Sequence, residues 1–177
     1  ISIREMIAKG CITNTEDQYV NPASLNIRLS GSYSHIRPTY VYNYPITVEP
    51  VRYTLGDKAE YESFTNDNMI IRPGEFLLAA TMEHFAFPND ISGVVKGRSS
   101  IGRIGLSIQN AGFIDPGVNG TITLELKNDS QIPICLPKGY PIGQVIFFET
   151  MLVDKPYSGK YNGQVEATGS RLHEDQH

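Results

Sequence analysis

The 177-residue chain has only two cysteines, Cys11 and Cys135, and four histidines scattered at positions 35, 84, 173 and 177. Two cysteines make no disulfide framework, and they do not complete a zinc site of the usual four-ligand kind. No apolar run reaches membrane-spanning length and no secretory signal pattern is present, so a membrane-crossing helix is not expected. A basic excess is also missing: 15 Lys and Arg stand against 19 Asp and Glu, a formal net charge of −4. Proteins that hold a nucleic-acid backbone carry surplus positive charge, so no general nucleic-acid surface is expected. Any phosphate site must be local. The length fits one domain with a substantial core, and 40% hydrophobic with 19% charged residues is an ordinary globular composition. A cytoplasmic protein is the plain expectation.

Ser2-Ile3-Arg4-Glu5 has the form of a capping box, with Ile3, Met6 and Ile7 at helical spacing and Gly10 as the stop. One short helix is predicted there. Leu25, Ile27 and Leu29 alternate with Ser24, Asn26 and Arg28 in the manner of a strand. Residues 31–68 are tyrosine-rich (Tyr33, Tyr40, Tyr42, Tyr44, Tyr53, Tyr61) and read as irregular edge strands and loops set against a partner subunit. A base-stacking platform would interleave more cations than Arg37, Arg52 and Lys58 supply. Residues 69–80 read as two strands about the turn Arg72-Pro73-Gly74-Glu75, and a strand over 142–149 follows the turn Pro137-Lys138-Gly139. Many short strands split by Gly and Pro turns, with one short helix, indicate an all-β barrel or jelly roll. The polar, Gly-rich residues from 154 onward have, by composition alone, the look of a disordered terminus.

The most informative window is residues 97–127, GRSSIGRIGLSIQNAGFIDPGVNGTITLELK. Its front is a polar turn that sets Arg98 and Arg103 beside Ser99 and Ser100. Backbone N–H groups, hydroxyl donors and fixed guanidinium charge together suit a polyphosphate. Its end, residues 121–127, alternates strictly, with Ile122, Leu124 and Leu126 on one face and Thr121, Thr123, Glu125 and Lys127 on the other. Glu125 therefore stands on a rigid element, turned away from the apolar side. On spacing alone, a lone Glu on a strand's polar face is usually a solvated residue. An Asp before Pro-Gly, as Asp115 is, serves as readily as a turn former.

GRSSIGRIGL, AGFIDPG and GTITLELKN, preceded by VNPASLNIRLS and followed by KYNGQ…SR, resemble the dCTP deaminase branch of the trimeric dUTPase-like superfamily. The resemblance covers nearly the whole chain. It implies a dUTPase-like distorted β-barrel over residues 1–153, with 154–177 as a tail that closes over the nucleotide as a lid. The implied reaction is deamination of dCTP to dUTP and ammonia, in the metabolism that supplies dUMP. Glu125 matches the family's catalytic glutamate, ten residues after Asp115. It would ferry protons while water attacks C4, N3 is protonated and ammonia leaves. The Pro-Cys-x-x-Cys of zinc deaminases is missing, so Arg103 and Ser99 would hold the water and stabilise developing charge without zinc. Arg98, Ser99 and Ser100, with Gly102, would take the phosphates, helped by Tyr157, Lys160 and Gln164 from the tail. Asp115 would accept a hydrogen bond from the deoxyribose 3′-OH. Backbone at Asn110 and Ala111 would read the base, and Thr123 and Leu124 belong to the same substrate-binding set.

Mg²⁺ would enter with the triphosphate, held by phosphate oxygens and water rather than by a protein cage. Arg98, Arg103 and Glu125 would meet across a subunit boundary in a homotrimer. The alternatives are a bifunctional enzyme that goes on to dUMP and pyrophosphate through Asp115, a deaminase accepting dCMP, and a non-catalytic nucleotide-binding regulator. Three departures stand out. Val118 follows Asp-Pro-Gly where relatives mostly carry an aromatic residue, one residue is missing between Arg103 and Asp115, and the tail is shorter between Tyr157 and Lys160.

Overall fold

The structure, a computed structural model, describes residues 2–38, 40–43, 47–50, 52–108 and 112–175, with 40–43 and 47–50 described in backbone only. In chain order come α1 (Ile3–Ala8), β1 (Ile12–Thr13), β2 (Leu25–Ile36), β3 (Tyr40–Asn43), β4 (Thr47–Pro50) and β5 (Tyr61–Thr65). Next are β6 (Asn68–Ile71), β7 (Phe76–Thr81), β8 (His84–Ala86) and β9 (Ile91–Gly97). A one-turn helix α2 (Ser99–Gly102) leads to β10 (Leu106–Ile108), β11 (Phe113–Ile114), β12 (Asn119–Gly120) and β13 (Thr123–Asn128). The last strands are β14 (Ile134–Pro137) and β15 (Pro141–Glu149). Among the described residues no helix is long and apolar enough to cross a membrane.

The capping box forms as the sequence predicts: Glu5 N donates to Ser2 Oγ at 3.2 Å, and Ser2 N donates to the Glu5 carboxylate at 2.6 Å. The polar turn after β9 differs from its expectation. It winds into α2, because Gly102 N reaches Arg98 O at 2.9 Å and Arg103 N reaches Ser99 O at 3.0 Å. The chain therefore carries a second short helix.

The main sheet is antiparallel and curls in the order β10-β13-β7-β2-β15-β9-β11, with β5 added on β2. Long strand β2 serves two neighbours along one edge: residues 25–28 pair with β15, and residues 32–36 pair with β5. This corrects the reading of residues 31–36 as irregular, whereas β3, β4 and β5 are short strands joined by loops. β2 runs on to Ile36, and Tyr33 is wholly buried in the barrel core rather than set against a partner. The physical reason is the strand's period of two, which sets Tyr33 on the same face as the buried Leu25, Ile27 and Leu29.

Two adjacent strands make the floor on which the site is built. In β13, Leu124 and Leu126 are fully buried while Thr123, Glu125 and Lys127 are half-buried on the opposite face. In β7, after an exposed Phe76, the run from Leu77 to Thr81 is buried on both faces. Leu77 and Ala79 enter the main core, whereas Leu78 and Ala80 pack outside it against Ala167 and Tyr61. A strand covered on both sides loses its alternation, which is why this run reads as continuously apolar. The cover is the tail, which is seated on the barrel despite its disorder-like composition.

One buried ion pair braces the N-terminal segment against the sheet. Arg28 is 7% exposed and Glu83 is 0% exposed. Glu83 accepts from Arg28 Nε at 2.7 Å and from Arg28 N at 2.8 Å. The guanidinium also donates to the Asn14 carbonyl and stands 4.2 Å from the Tyr19 ring centroid. Removing one member of such a pair leaves an uncompensated buried charge. Glu83→Ala is therefore expected to lower the unfolding free energy by about 3–5 kcal/mol. Arg4→Ala, which breaks the exposed pair with Asp17, should cost far less, because solvent screens that pair. Chemical denaturation of the two variants measures both, and equal losses would remove the buried pair from this role.

Candidate active site

A cavity of about 580 Å³ opens between the outer face of β7 and β13, the strand β11 with its following turn, and the tail. Glu125 lies at its floor. Cross-strand pairing sets Glu125 opposite Leu78 and Thr123 opposite Ala80, so apolar side chains flank the carboxylate on its own sheet. Burial pushes the Glu125 carboxyl above the ordinary glutamate value. No neighbouring charge contributes to that shift, and this favours a group able to hold or release a proton nearer neutrality.

Asp115 enters the same cavity from the turn after β11. The turn closes with Val118 N on Asp115 O at 3.3 Å and has Gly117 at φ +88°, a conformation that favours glycine. Asp115 is thus both turn former and cavity wall, and the two readings of it are compatible. Val118 also lines the cavity.

The tail forms the remaining wall through backbone bonds. Tyr157 N donates to Pro116 O at 2.8 Å, Gly163 N to Asn119 O at 2.6 Å, and Thr121 N to Gln164 O at 2.8 Å. Gln164 Nε2 returns a bond to Thr121 O at 2.8 Å, so this residue is a buckle between tail and barrel. The contact is so close that a Cβ on Gly120 would stand 2.6 Å from the Gln164 carbonyl oxygen.

Of the residues singled out from sequence, Asp115, Thr123, Glu125, Tyr157 and Gln164 share this cavity. Leu124 is in the strand but sends its side chain into the core, leaving only its backbone on the cavity side of the sheet. Lys160 is on the tail outside the lining, paired with Asp175. Arg98 donates to the Pro141 carbonyl at 2.8 Å, and Ser99, Ser100, Gly102 and Arg103 are exposed on and after α2. None of residues 98–103 lines the cavity. Asn110 and Ala111 lie outside the described residues. Sequence reasoning missed Tyr61, Tyr161, Thr168 and Phe113, which also line the cavity. Only the tyrosine content of residues 31–68 pointed toward Tyr61, and it carried no direction.

The charge balance of the cavity is one-sided. Among the described residues its lining has two carboxylates, Asp115 and Glu125, and no lysine or arginine. Nor do three or more His, Cys, Asp or Glu side chains converge to hold a metal ion among those residues.

Residues 2–150 match the family described as dCTP deaminase-like. A protein of Sulfurihydrogenibium named dCTP deaminase, dUMP-forming, is 37% identical over 175 residues, covering 97% of this chain and 94% of that one. A protein of the same name from Aquifex aeolicus is 38% identical over 182 residues, covering 99% and 94%. Among solved structures, the 2′-deoxycytidine 5′-triphosphate deaminase of Agrobacterium tumefaciens superposes with a TM-score of 0.60 at 21% identity, over 82% of this chain and 46% of that one. A mutant dUTPase of phage phi11, solved for the coordination of a structural Mg(II) ion, gives a TM-score of 0.52 at 12% identity, over 81% and 87%. These structural likenesses carry the dUTPase-like fold, and the sequence matches carry more. With the strand that bears Glu125 inside the matched region, the chain belongs to the dCTP deaminase family.

Proposed function

We propose that the chain converts dCTP to dUMP in two hydrolytic steps at one site built from two subunits. The observation that carries this reading is that Asp115 and Glu125 line one half-buried cavity. In the first step water adds to C4 while Glu125 takes one of its protons and passes it to N3; Glu125 then relays the proton of the new C4 hydroxyl to the leaving nitrogen, the C4–N bond breaks as the carbonyl forms, and ammonia departs to give dUTP. In the second, water activated with the help of Asp115 attacks the α-phosphorus, and pyrophosphate leaves to give dUMP. The relatives named dUMP-forming support the second step. Asp115 also accepts the deoxyribose 3′-OH, and Thr123 lies beside the base. Mg²⁺ enters with the triphosphate as part of the substrate, since the described residues offer no convergent donor set for it.

A triphosphate cannot be held by two carboxylates, so cations must be brought to the cavity. Ser99, Ser100 and Arg103 stand exposed on and after α2, with Arg98 half-buried just before it, all away from their own cavity, and a second copy presenting that turn supplies what is missing. Arg103 and Ser99 then face the attacked carbon, while Arg98 and Ser100, with Gly102, take phosphates alongside Tyr157, Lys160 and Gln164. The assembly is a homotrimer. Release of dUTP is the second reading, because deamination through Glu125 does not need the phosphate step assigned to Asp115.

Incubation with dCTP and Mg²⁺ followed by chromatography is expected to give dUMP and pyrophosphate, and accumulation of dUTP would select the second reading. Glu125→Gln should lower deamination about 10²–10⁴-fold while conversion of supplied dUTP to dUMP persists. A Glu125→Gln enzyme that deaminates at the wild-type rate would end the assignment.

Folding of the same variant gives an independent check. Because the folded-state pKa of Glu125 is raised, burying its charge opposes folding above that pKa, and the opposition fades as pH falls toward the ordinary glutamate value. Glu125→Gln should therefore gain stability over wild type as pH rises through this window, and a pH-independent difference in melting would contradict it. Mixing Arg103→Ala with Glu125→Gln chains should regenerate some intact sites, since each mixed boundary can pair a sound Arg103 with a sound Glu125. Absence of rescue in verified mixed trimers would refute the shared site.

A further inference from the structure

Tyr61 opens β5 and takes no part in the chemistry described above. Its side chain packs with Leu78, Ala80 and Ala167 in a cluster separate from the barrel core. The backbone of Gly169 lies so close to the ring that a Cβ there would come 2.4 Å from Cδ2 and 2.5 Å from Cγ of Tyr61. Those atoms are near the root of the ring, and pairing of Tyr61 with Ile36 of β2 anchors the backbone behind it. Swinging the ring tip aside does not relieve such a contact. Two polar bonds hold the same tail segment: Ala167 N donates to Ser32 Oγ and Thr168 N donates to Thr123 Oγ1, each at 3.2 Å. Thr123 and Glu125 share one face of β13, and Tyr61, Thr168 and Gly169 line the cavity that holds Glu125.

We propose that Tyr61 is a positioning residue for the reaction: its ring is the seat on which the tail docks through Gly169, and this docking sets the tail as a wall of the Glu125 cavity. The inference rests on the reading that the cavity takes the nucleotide. Tyr61 acts through the tail, not on the substrate. Any side chain at position 169 lifts the segment, breaks the Thr168–Thr123 bond and admits water over Glu125. Gln164 and Tyr157, earlier in the same tail, then lose their fixed register toward the nucleotide. A small misplacement of such groups weakens substrate binding far more than it weakens the fold.

The test is a double-mutant cycle in the full chain, with kcat and KM for the Mg²⁺–dCTP complex and the rate of trypsin cleavage after Lys160 and Arg171. A merely structural role lowers the active fraction, hence kcat, and leaves KM alone. Docking predicts a KM effect in chains that remain folded. Gly169→Ala should raise KM about tenfold or more and speed cleavage of the tail. In a Tyr61→Ala background, where the ring is gone, the same substitution should change either quantity by less than about twofold. Tyr61→Phe keeps the ring and should stay within about twofold of wild type. Should Tyr61→Ala fail to fold, Tyr61→Leu supplies the cycle, since it removes the ring and keeps apolar bulk. Equal effects of Gly169→Ala in both backgrounds, or wild-type KM and cleavage in Tyr61→Ala, overturn the proposal. Cleavage that follows the cycle in a protein inert toward dCTP overturns the reading of the cavity and the positioning role with it. Turnover with an uncoupled cycle overturns the role of Tyr61 alone.

Discussion

Strand β13 buries Leu124 and Leu126 completely, and the period of two along a strand then commits Thr123 and Glu125 to the other face. Much else follows from that constraint. A register slip by one residue would put Glu125 into the barrel core and two leucines into the cavity. Pairing with β7 from Thr123↔Ala80 to Lys127↔Phe76 prevents it. Asn128 locks the far end, donating to the carbonyls of Ile71 at 3.0 Å and Ile132 at 2.8 Å. The position of Glu125 is thus set by side chains that never touch the cavity.

The same geometry explains why the tail belongs to the fold. The outer face of β7 and β13 carries Leu78 and Ala80 beside Thr123 and Glu125, so it is partly apolar and cannot be left to water without cost. Ala167 and Tyr61 cover part of the apolar surface, and the rest of that face, with Leu78, Thr123 and Glu125, lines the cavity. Partial cover is what raises the Glu125 pKa. A fully exposed glutamate would keep its ordinary pKa, and a fully buried one would be closed to substrate. The tail leaves it between these limits.

Several local features were legible in the sequence because their causes are local. The capping box at Ser2–Glu5, the turn at Arg72–Glu75 and the alternation of β13 depend on neighbours a few residues apart, and all three form. The family resemblance rests on ordered motifs and carried the barrel and the deaminase relationship with it. What failed depended on distant partners. Tyr33 looked like part of a loop because its core neighbours come from strands remote in sequence, and the tail looked disordered because its apolar contacts are few and supplied by β5 and β7.

The sequence by itself determined the alternation that turns Glu125 outward, the hydroxyl- and guanidinium-bearing turn at 98–103, and the family, since each is written in residue order. Only the tertiary structure decided that Asp115, Glu125 and Gln164 share a cavity, that the arginine turn does not line it, and that Tyr61 meets Gly169. Those facts are distances between residues far apart along the chain. They follow from how the sheet curls and where the tail returns, and no periodicity in the sequence encodes them.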